Sequence, residues 1–199
     1  MKVTRSWLEN YIEIVNTTDE LCHDLTMAGL EVDDISKIEN DHVIDIDLTP
    51  NRSDCLSAKG ISRELNSINS QYKQKPRENS SKPNPTCKNS GLKFNVLANN
   101  ICPRYGYMYL ENVSSACSTP EYINKRLSDI GIALIHPIVD ILNYIMVDIG
   151  QPMHAYDADK VNGEITIRQA KDKEIMLALD GNEYKLNSEN IVVSDSTQI

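Results

Sequence analysis

Two side chains with chemical potential stand close together in one stretch. Asn143, an amide, lies inside an apolar run, and His154, an imidazole, lies just beyond it. What must position them can be read from spacing. Ile138, Ile141, Leu142, Ile145 and Ile149 recur with helical periodicity, which predicts an amphipathic helix with that stripe turned inward. Gly150 follows as a left-handed helix stop would. Gln151-Pro152-Met153-His154-Ala155 then leaves as a stiff, extended segment, because Pro152 fixes its own φ and restricts Gln151. The same pattern also fits a buried helix with a capped exit, so spacing alone assigns no reaction.

Other groups point away from metal and phosphate chemistry. Asp45 and Asp47 alternate with Ile44, Ile46 and Leu48, and with no third ligand nearby they read as the solvated face of a strand. The five cysteines, Cys22, Cys55, Cys87, Cys102 and Cys117, are odd in number and contain no Cys-x-x-Cys spacing. That argues against a disulfide framework and against a zinc site. His23, His42, His136 and His154 show no metal-ligand spacing, and no glycine-rich phosphate loop precedes a helix. No metal and no cofactor are expected on this chain.

The chain has 199 residues, 40% hydrophobic and 25% charged, as in an ordinary globular protein. No apolar run approaches a membrane span, and the first residues lack the apolar core of a signal peptide, so a cytoplasmic protein is expected. The net charge of −9 advertises no basic face, so any contact with nucleic acid should be local or shared with partner chains.

Trp7, Leu8, Tyr11 and Ile12 suggest a short helix. Thr17 to Glu20 reads as a capping box opening a helix that buries Leu21, Cys22, Leu25 and Ala28 and ends at Gly29. Strands are expected over 30–38 and 42–48. Asp54 is the candidate N-cap of a helix reaching Asn69, with Ala58, Ile61, Leu65 and Ile68 inward. Residues 70–91 carry three prolines, many polar residues and little to bury, which predicts a solvated tether, although its basic residues could contact phosphate. Beyond it, strands are expected at 92–97 and around Tyr105, Tyr107 and Tyr109. The tyrosine stripe could stack bases but is more typical of cross-strand packing. Thr119-Pro120 reads as N-cap and N1 of a helix with Ile123, Leu127 and Ile130 inward and Gly131 at its end. A strand at 164–169, a hairpin around Asp180-Gly181 and a strand at 190–194 complete the chain.

Three motifs carry a resemblance. Val139-Asp140-Ile141-Leu142-Asn143-Tyr144-Ile145 followed by Gly150-Gln151-Pro152-Met153-His154-Ala155-Tyr156-Asp157 resembles the B3/B4 editing domain of the bacterial phenylalanyl-tRNA synthetase beta subunit. Pro50-Asn51-Arg52, then Asp54-Cys55-Leu56, Gly60 and Arg63-Glu64, is similar to a second segment of that family, and Met27 to Val32 to a third. The resemblance implies an α+β protein: a small N-terminal α+β domain at 1–69, a linker at 70–91, and an incomplete mixed α/β B3/B4-type domain at 92–199. The family's oligonucleotide-binding insertion has no room between Val32 and Pro50, and the family's glycine-rich segment and pocket carboxylate do not appear before Ile199.

What the resemblance implies about function follows. In the full enzyme an alpha subunit, in a two-alpha, two-beta assembly, joins phenylalanine to its tRNA with ATP and Mg2+. The beta subunit contributes tRNA binding and hydrolyses tyrosine wrongly attached to that tRNA. Tyrosine is phenylalanine plus a hydroxyl, and a hydrophobic pocket rejects an added hydroxyl only about a hundredfold, so a second site is needed. Leu142, Asn143 and His154 fall on editing-pocket positions. The family's threonine before Asn143 is Leu142 here, and a common arginine is Ala133. The alternatives are a non-catalytic tRNA-binding or subunit-assembly module, or a truncated chain without activity of its own.

Overall fold

Thr17 and Glu20 close the capping box expected of them. The Thr17 hydroxyl accepts from the Glu20 amide at 3.3 Å, and the Glu20 carboxylate accepts from the Thr17 amide at 2.8 Å. They open a helix at Thr18–Met27 that buries Leu21, Cys22 and Leu25 and ends at Gly29, whose φ of 84° suits glycine. In this computed structural model, which describes residues 1–76, 93–114, 116–178 and 181–199, the α+β chain divides into two units. One comprises Met1–Ser81 with Ser114–Ala155, the other Lys82–Val113 with Tyr156–Ile199. The expected division at 1–69, 70–91 and 92–199 followed chain continuity; these units instead take the helical segment after Val113 into the first body.

In the first unit, β1 (Lys2–Thr4), α1 (Arg5–Leu8), α2 (Thr18–Met27), β2 (Glu31–Ile38) and β3 (Asp41–Asp47) come first. The sheet order is β1-β3-β2, antiparallel throughout, with β3 in the centre. Ile44 and Ile46 are fully buried there, and Leu48 packs against the same core, as the alternation requires. A 3-10 turn at Ser53–Cys55 leads into a helix at Ala58–Ile68. Its N-cap is Ser57, whose hydroxyl accepts from the Gly60 amide at 3.0 Å, rather than the expected Asp54. Ala58, Ile61 and Leu65 are buried, whereas Ile68, expected inward, is 43% exposed at the end of the last turn.

The expected tether starts later than Ser70. Tyr72 is fully buried, and its hydroxyl donates to Asp24 at 2.6 Å. Gln74 bridges to Ile12, and the backbone of Lys73 and Lys75 bonds to Glu13 and Tyr11. A single buried aromatic supplies enough apolar area to hold a polar segment down. Residues 77–91, the rest of that expected tether, and Leu92, the first residue of the next expected strand, lie outside the described residues.

In the second unit, β4 (Phe94–Val96) pairs parallel with β5 (Ile165–Gln169), which pairs antiparallel with β8 (Ile191–Ser194). β6 (Ile175–Leu177) and β7 (Glu183–Lys185) form the expected hairpin, with Gly181 at φ 82°; Asp180 of its turn lies outside the described residues. Ile165, Ile167, Ala170 and Val192 make a small core. The strand expected around Tyr105 to Tyr109 does not form: residues 102–114 enter no ladder.

Arg168 on β5 reaches Glu174 with two bonds, at 2.9 and 2.7 Å, and the Lys171 amide donates to the same carboxylate at 2.8 Å. The Arg168 pair first, and then that amide, hold Glu174 down from its ordinary 4.5 to about 2. A lowered folded pKa stabilises above the unfolded value and is lost as pH falls through the folded one. The stability difference between wild type and Glu174→Gln, followed by urea midpoints, should therefore be constant above about pH 5 and shrink between about pH 4.5 and about pH 2. A difference independent of pH across that window would mean that the ion pair does not act on folding.

Candidate functional site

His136 begins the helix that carries the candidate residues. Its backbone is extended at φ −160°, its Nδ1 accepts from the Ile138 amide at 3.3 Å, and Pro137 takes the first helical position. The helix runs Pro137–Ile149 and ends at Gly150, with φ 78° and its amide on the Met146 carbonyl at 2.9 Å. Counting in chain order, Ala58–Ile68 is α3, Glu121–Asp129 is α4 and this helix is α5. Length, start and stop agree with the sequence pattern.

The inward face does not. Asp140 is 2% exposed, Val147 is in the core of the first unit, and Tyr144 packs against that core. These positions, with Asp148, lie on one side of α5 at i, i+4, i+7 and i+8. The apolar stripe lies opposite: Ile141, Met146 and Ile149 are more than a third exposed, and Ile138, Leu142 and Ile145 are half-buried. Hydrophobicity was a poor guide here because the packed face is held by polar and aromatic groups whose partners come from remote sequence.

Those partners are specific. Trp7, fully buried, stacks on Tyr144 with centroids 5.0 Å apart and 13° between planes, and its indole N–H donates to Asp148 at 2.7 Å. The Arg126 guanidinium lies over the Trp7 ring at 5.2 Å and donates to the Tyr144 hydroxyl at 2.9 Å. Tyr122 meets Tyr144 edge-on at 5.8 Å. Asp140 accepts from the Thr119 hydroxyl at 2.6 Å and from the Ile135 amide at 2.9 Å. Burial pushes its carboxyl up, but the Thr119 hydroxyl and the Ile135 and His136 amides together outweigh burial and leave it below the usual carboxylate range. Thr119 is thus engaged with Asp140, and Pro120, expected at N1, occupies the N-cap position of α4, which has no side-chain cap bond. Ile123, Leu127 and Ile130 are buried as expected, and Gly131 has φ 82°.

Leu142 and Asn143 therefore sit half-buried on α5, away from the anchored face centre, and His154 is exposed in the segment after Gly150. All three belong to the first unit. Asp148, Trp7 and Arg126, which fix the helix that carries two of them, were not singled out from the sequence as partners. The signal available was the i, i+4, i+8 series Asp140, Tyr144, Asp148, a polar and aromatic line opposite the apolar one.

Asp54, Cys55 and Glu64 bring three ligand-type atoms within 4.8 Å of one another, the one such group among the described residues. Arg52 fills the cation's part. Its guanidinium bonds Asp54 at 3.1 Å twice, Glu64 at 2.9 Å and the Cys55 sulfur at 3.0 Å. The Arg52 bonds first of all hold Asp54 down at about 2, and burial first, then Asp54, push the Cys55 thiol up to about 11. A protonated, buried thiol beside a satisfied arginine is neither a nucleophile nor a ready metal ligand.

Residues 101–199 match the family model described as B3/4 domain. The phenylalanine–tRNA ligase beta subunit of Legionella pneumophila (strain Lens) is 41% identical over 156 residues, covering 78% of this chain and 19% of that protein. The beta subunit of Rhodopirellula baltica is 33% identical over 198 residues, covering 99% of this chain and 29% of that protein. A solved N-terminal fragment of the phenylalanyl-tRNA synthetase beta subunit from Pyrococcus horikoshii aligns at 19% identity and a TM-score of 0.39, covering 94% of this chain and 50% of that one. The chain thus spans 19% to 29% of the length of these curated relatives. With a B3/4 domain over 101–199 and these identities along nearly its whole length, the chain belongs to the phenylalanyl-tRNA synthetase beta-subunit family.

Proposed function

We propose that the chain acts as part of a phenylalanyl-tRNA synthetase beta subunit in the cytoplasm, with an alpha subunit and phenylalanine tRNA as partners. It supports joining of phenylalanine to that tRNA and hydrolytic removal of mischarged tyrosine. Family membership carries the reading, since 41% identity to a beta subunit over 78% of the chain accompanies a B3/4 domain match at residues 101–199, which include α5. ATP and Mg2+ would act on the alpha subunit.

In this reading α5 presents Asn143 to hydrogen-bond the tyrosine phenol, and Pro152 stiffens the backbone that holds His154 toward the ester or an attacking water. Leu142 takes the place of a hydroxyl and weakens the pocket. Losing one buried polar partner costs about 1–3 kcal/mol, which is about five- to a hundredfold in rate if felt only in the transition state.

The assay is release of labelled tyrosine from pre-charged phenylalanine tRNA. Leu142→Thr should raise the rate of the chain about five- to a hundredfold, and adding His154→Ala should remove the gain. Release at the buffer rate from wild type and Leu142→Thr alike would defeat the editing assignment. The subunit-assembly reading would then stand or fall on retention of the alpha subunit by the immobilised chain.

A further inference from the structure

Aromatic rings and charge meet at one place in the second unit. The Phe94 ring stacks with Tyr105 (centroids 5.2 Å, 19° between planes) and with Tyr107 (4.6 Å, 12°). Rings stacked in this way are normally core, yet Tyr105 is 38% exposed and Tyr107 54%. The tyrosines sit on a segment that enters no ladder, and Phe94 of β4 is the ring stacked against each of them.

Charge singles out the same place. Residues 93–110 hold two basic residues, Lys93 and Arg104, and no acidic residue, in a protein whose net charge is −9. Lys93 and Arg104 directly precede Phe94 and Tyr105 in the chain and are exposed. Neither forms an ion pair among the described residues.

Exposed parallel rings offer π-faces that any unpaired base can stack on, and cations beside them attract the connecting phosphates. A protein or apolar partner would need the rings but not the local positive charge, and a duplex would need the charge but could not reach the ring faces. We propose that Phe94, Tyr105 and Tyr107, with Lys93 and Arg104, form a stacking site for single-stranded RNA. The site stands on the second unit alone and needs neither Asn143 nor His154, so it also reconciles a strongly acidic chain with an RNA contact: the contact is local.

The test uses the full chain and a dye-labelled oligoadenylate of about a dozen nucleotides, long enough to cover one such site, titrated by anisotropy. Three comparisons decide it. An abasic oligonucleotide of the same length and a duplex should each bind at least about fivefold more weakly than the single strand, the low end of one lost base stack. Tyr105→Ala with Tyr107→Ala should weaken binding by at least as much, while Tyr105→Phe with Tyr107→Phe, which keeps the ring faces, should restore it. Lys93→Ala with Arg104→Ala should flatten the dependence of affinity on salt by about two phosphate contacts. Abasic RNA binding as tightly as the intact strand would overturn the proposal without recourse to any variant, and so would failure of the wild-type chain to bind the single strand. The tyrosine-release assay is scored on different residues and a different readout, so failure of either assignment is recognisable without the other. Loss of binding to phenylalanine tRNA on removal of its unpaired 3′ end would further place that end on the rings; unchanged tRNA binding alongside a positive oligonucleotide titration would assign the site to another single-stranded stretch of RNA.

Discussion

Trp7→Ala should lower the stability of the first unit by about 3–5 kcal/mol, the usual cost of truncating a fully buried tryptophan. Three losses combine. The ring fills a site with no solvent exposure, its face is stacked on Tyr144 and lies under Arg126, and its indole N–H is the donor to Asp148. Trp7→Phe separates the terms: it keeps a ring for Tyr144 and Arg126 but leaves the Asp148 carboxylate without that donor, so it should cost about 1–3 kcal/mol. Both are read from urea unfolding followed by far-ultraviolet circular dichroism, since Trp7 is the chain's one tryptophan and its fluorescence disappears with it. Because the α5 face carrying Tyr144 and Asp148 docks through this ring, Trp7→Ala should also raise amide exchange across Pro137–Ile149. A cost below about 1 kcal/mol, or unchanged exchange in α5, would mean that α5 is held by something other than the Trp7 cluster.

That cluster shows why part of the fold could be read from the sequence and part could not. Local rules acted where the deciding partner was near in sequence. The Thr17–Glu20 box, the Gly29, Gly131 and Gly150 stops, and the Ile44–Ile46 alternation are all satisfied within a turn or a strand, and each came out as expected. Misassignments arose where a distant group decided. Asp140 recruits Thr119 and so takes a helix cap away from its own helix, Trp7 turns α5 by its polar edge, and Tyr72 pins a segment whose composition says tether. Of the candidate site, Leu142, Asn143 and His154 could be named from motif resemblance, but hydrophobic periodicity would have placed Leu142 on a buried face. The tyrosine stripe at 105–109 shows the converse: its period suits a strand, yet no ladder forms, and what remains is a set of exposed rings.

Gly60→Ala should destabilise the first unit by about 3 kcal/mol or more, the upper end of overpacking costs, even though the substitution favours a helix. Gly60 lies within α3, where Ala is intrinsically preferred by about 1 kcal/mol. Against that, a Cβ at Gly60 would lie 2.0 Å from the Asp54 carbonyl oxygen and 3.1 Å from the Cys55 Cα, both backbone atoms. Backbone cannot yield as a flexible side chain would, so the 3-10 turn at Ser53–Cys55 must move. That turn is fixed by several bonds: Arg52 joins Asp54 to Glu64 on α3, and the Arg63 guanidinium donates to the Asp54 carbonyl at 3.1 Å. The family-like series Pro50-Asn51-Arg52, Asp54-Cys55, Gly60 and Arg63-Glu64 thus has a physical reading as a latch between a turn and a helix, with glycine at its closest approach. Ser57 and Leu56, next to the turn, also lie within 4 Å of a Cβ built at Gly150, so displacing the turn should disturb the exit of α5 toward His154. The measurement is the urea midpoint of Gly60→Ala against wild type, with Arg52→Lys as a companion. Lysine keeps the charge but cannot bridge Asp54 and Glu64 with the guanidinium's planar fork, so Arg52→Lys should also be destabilising. A Gly60→Ala chain as stable as wild type, or more so by the roughly 1 kcal/mol of helix preference, would show that the turn relaxes freely and that the latch does not exist.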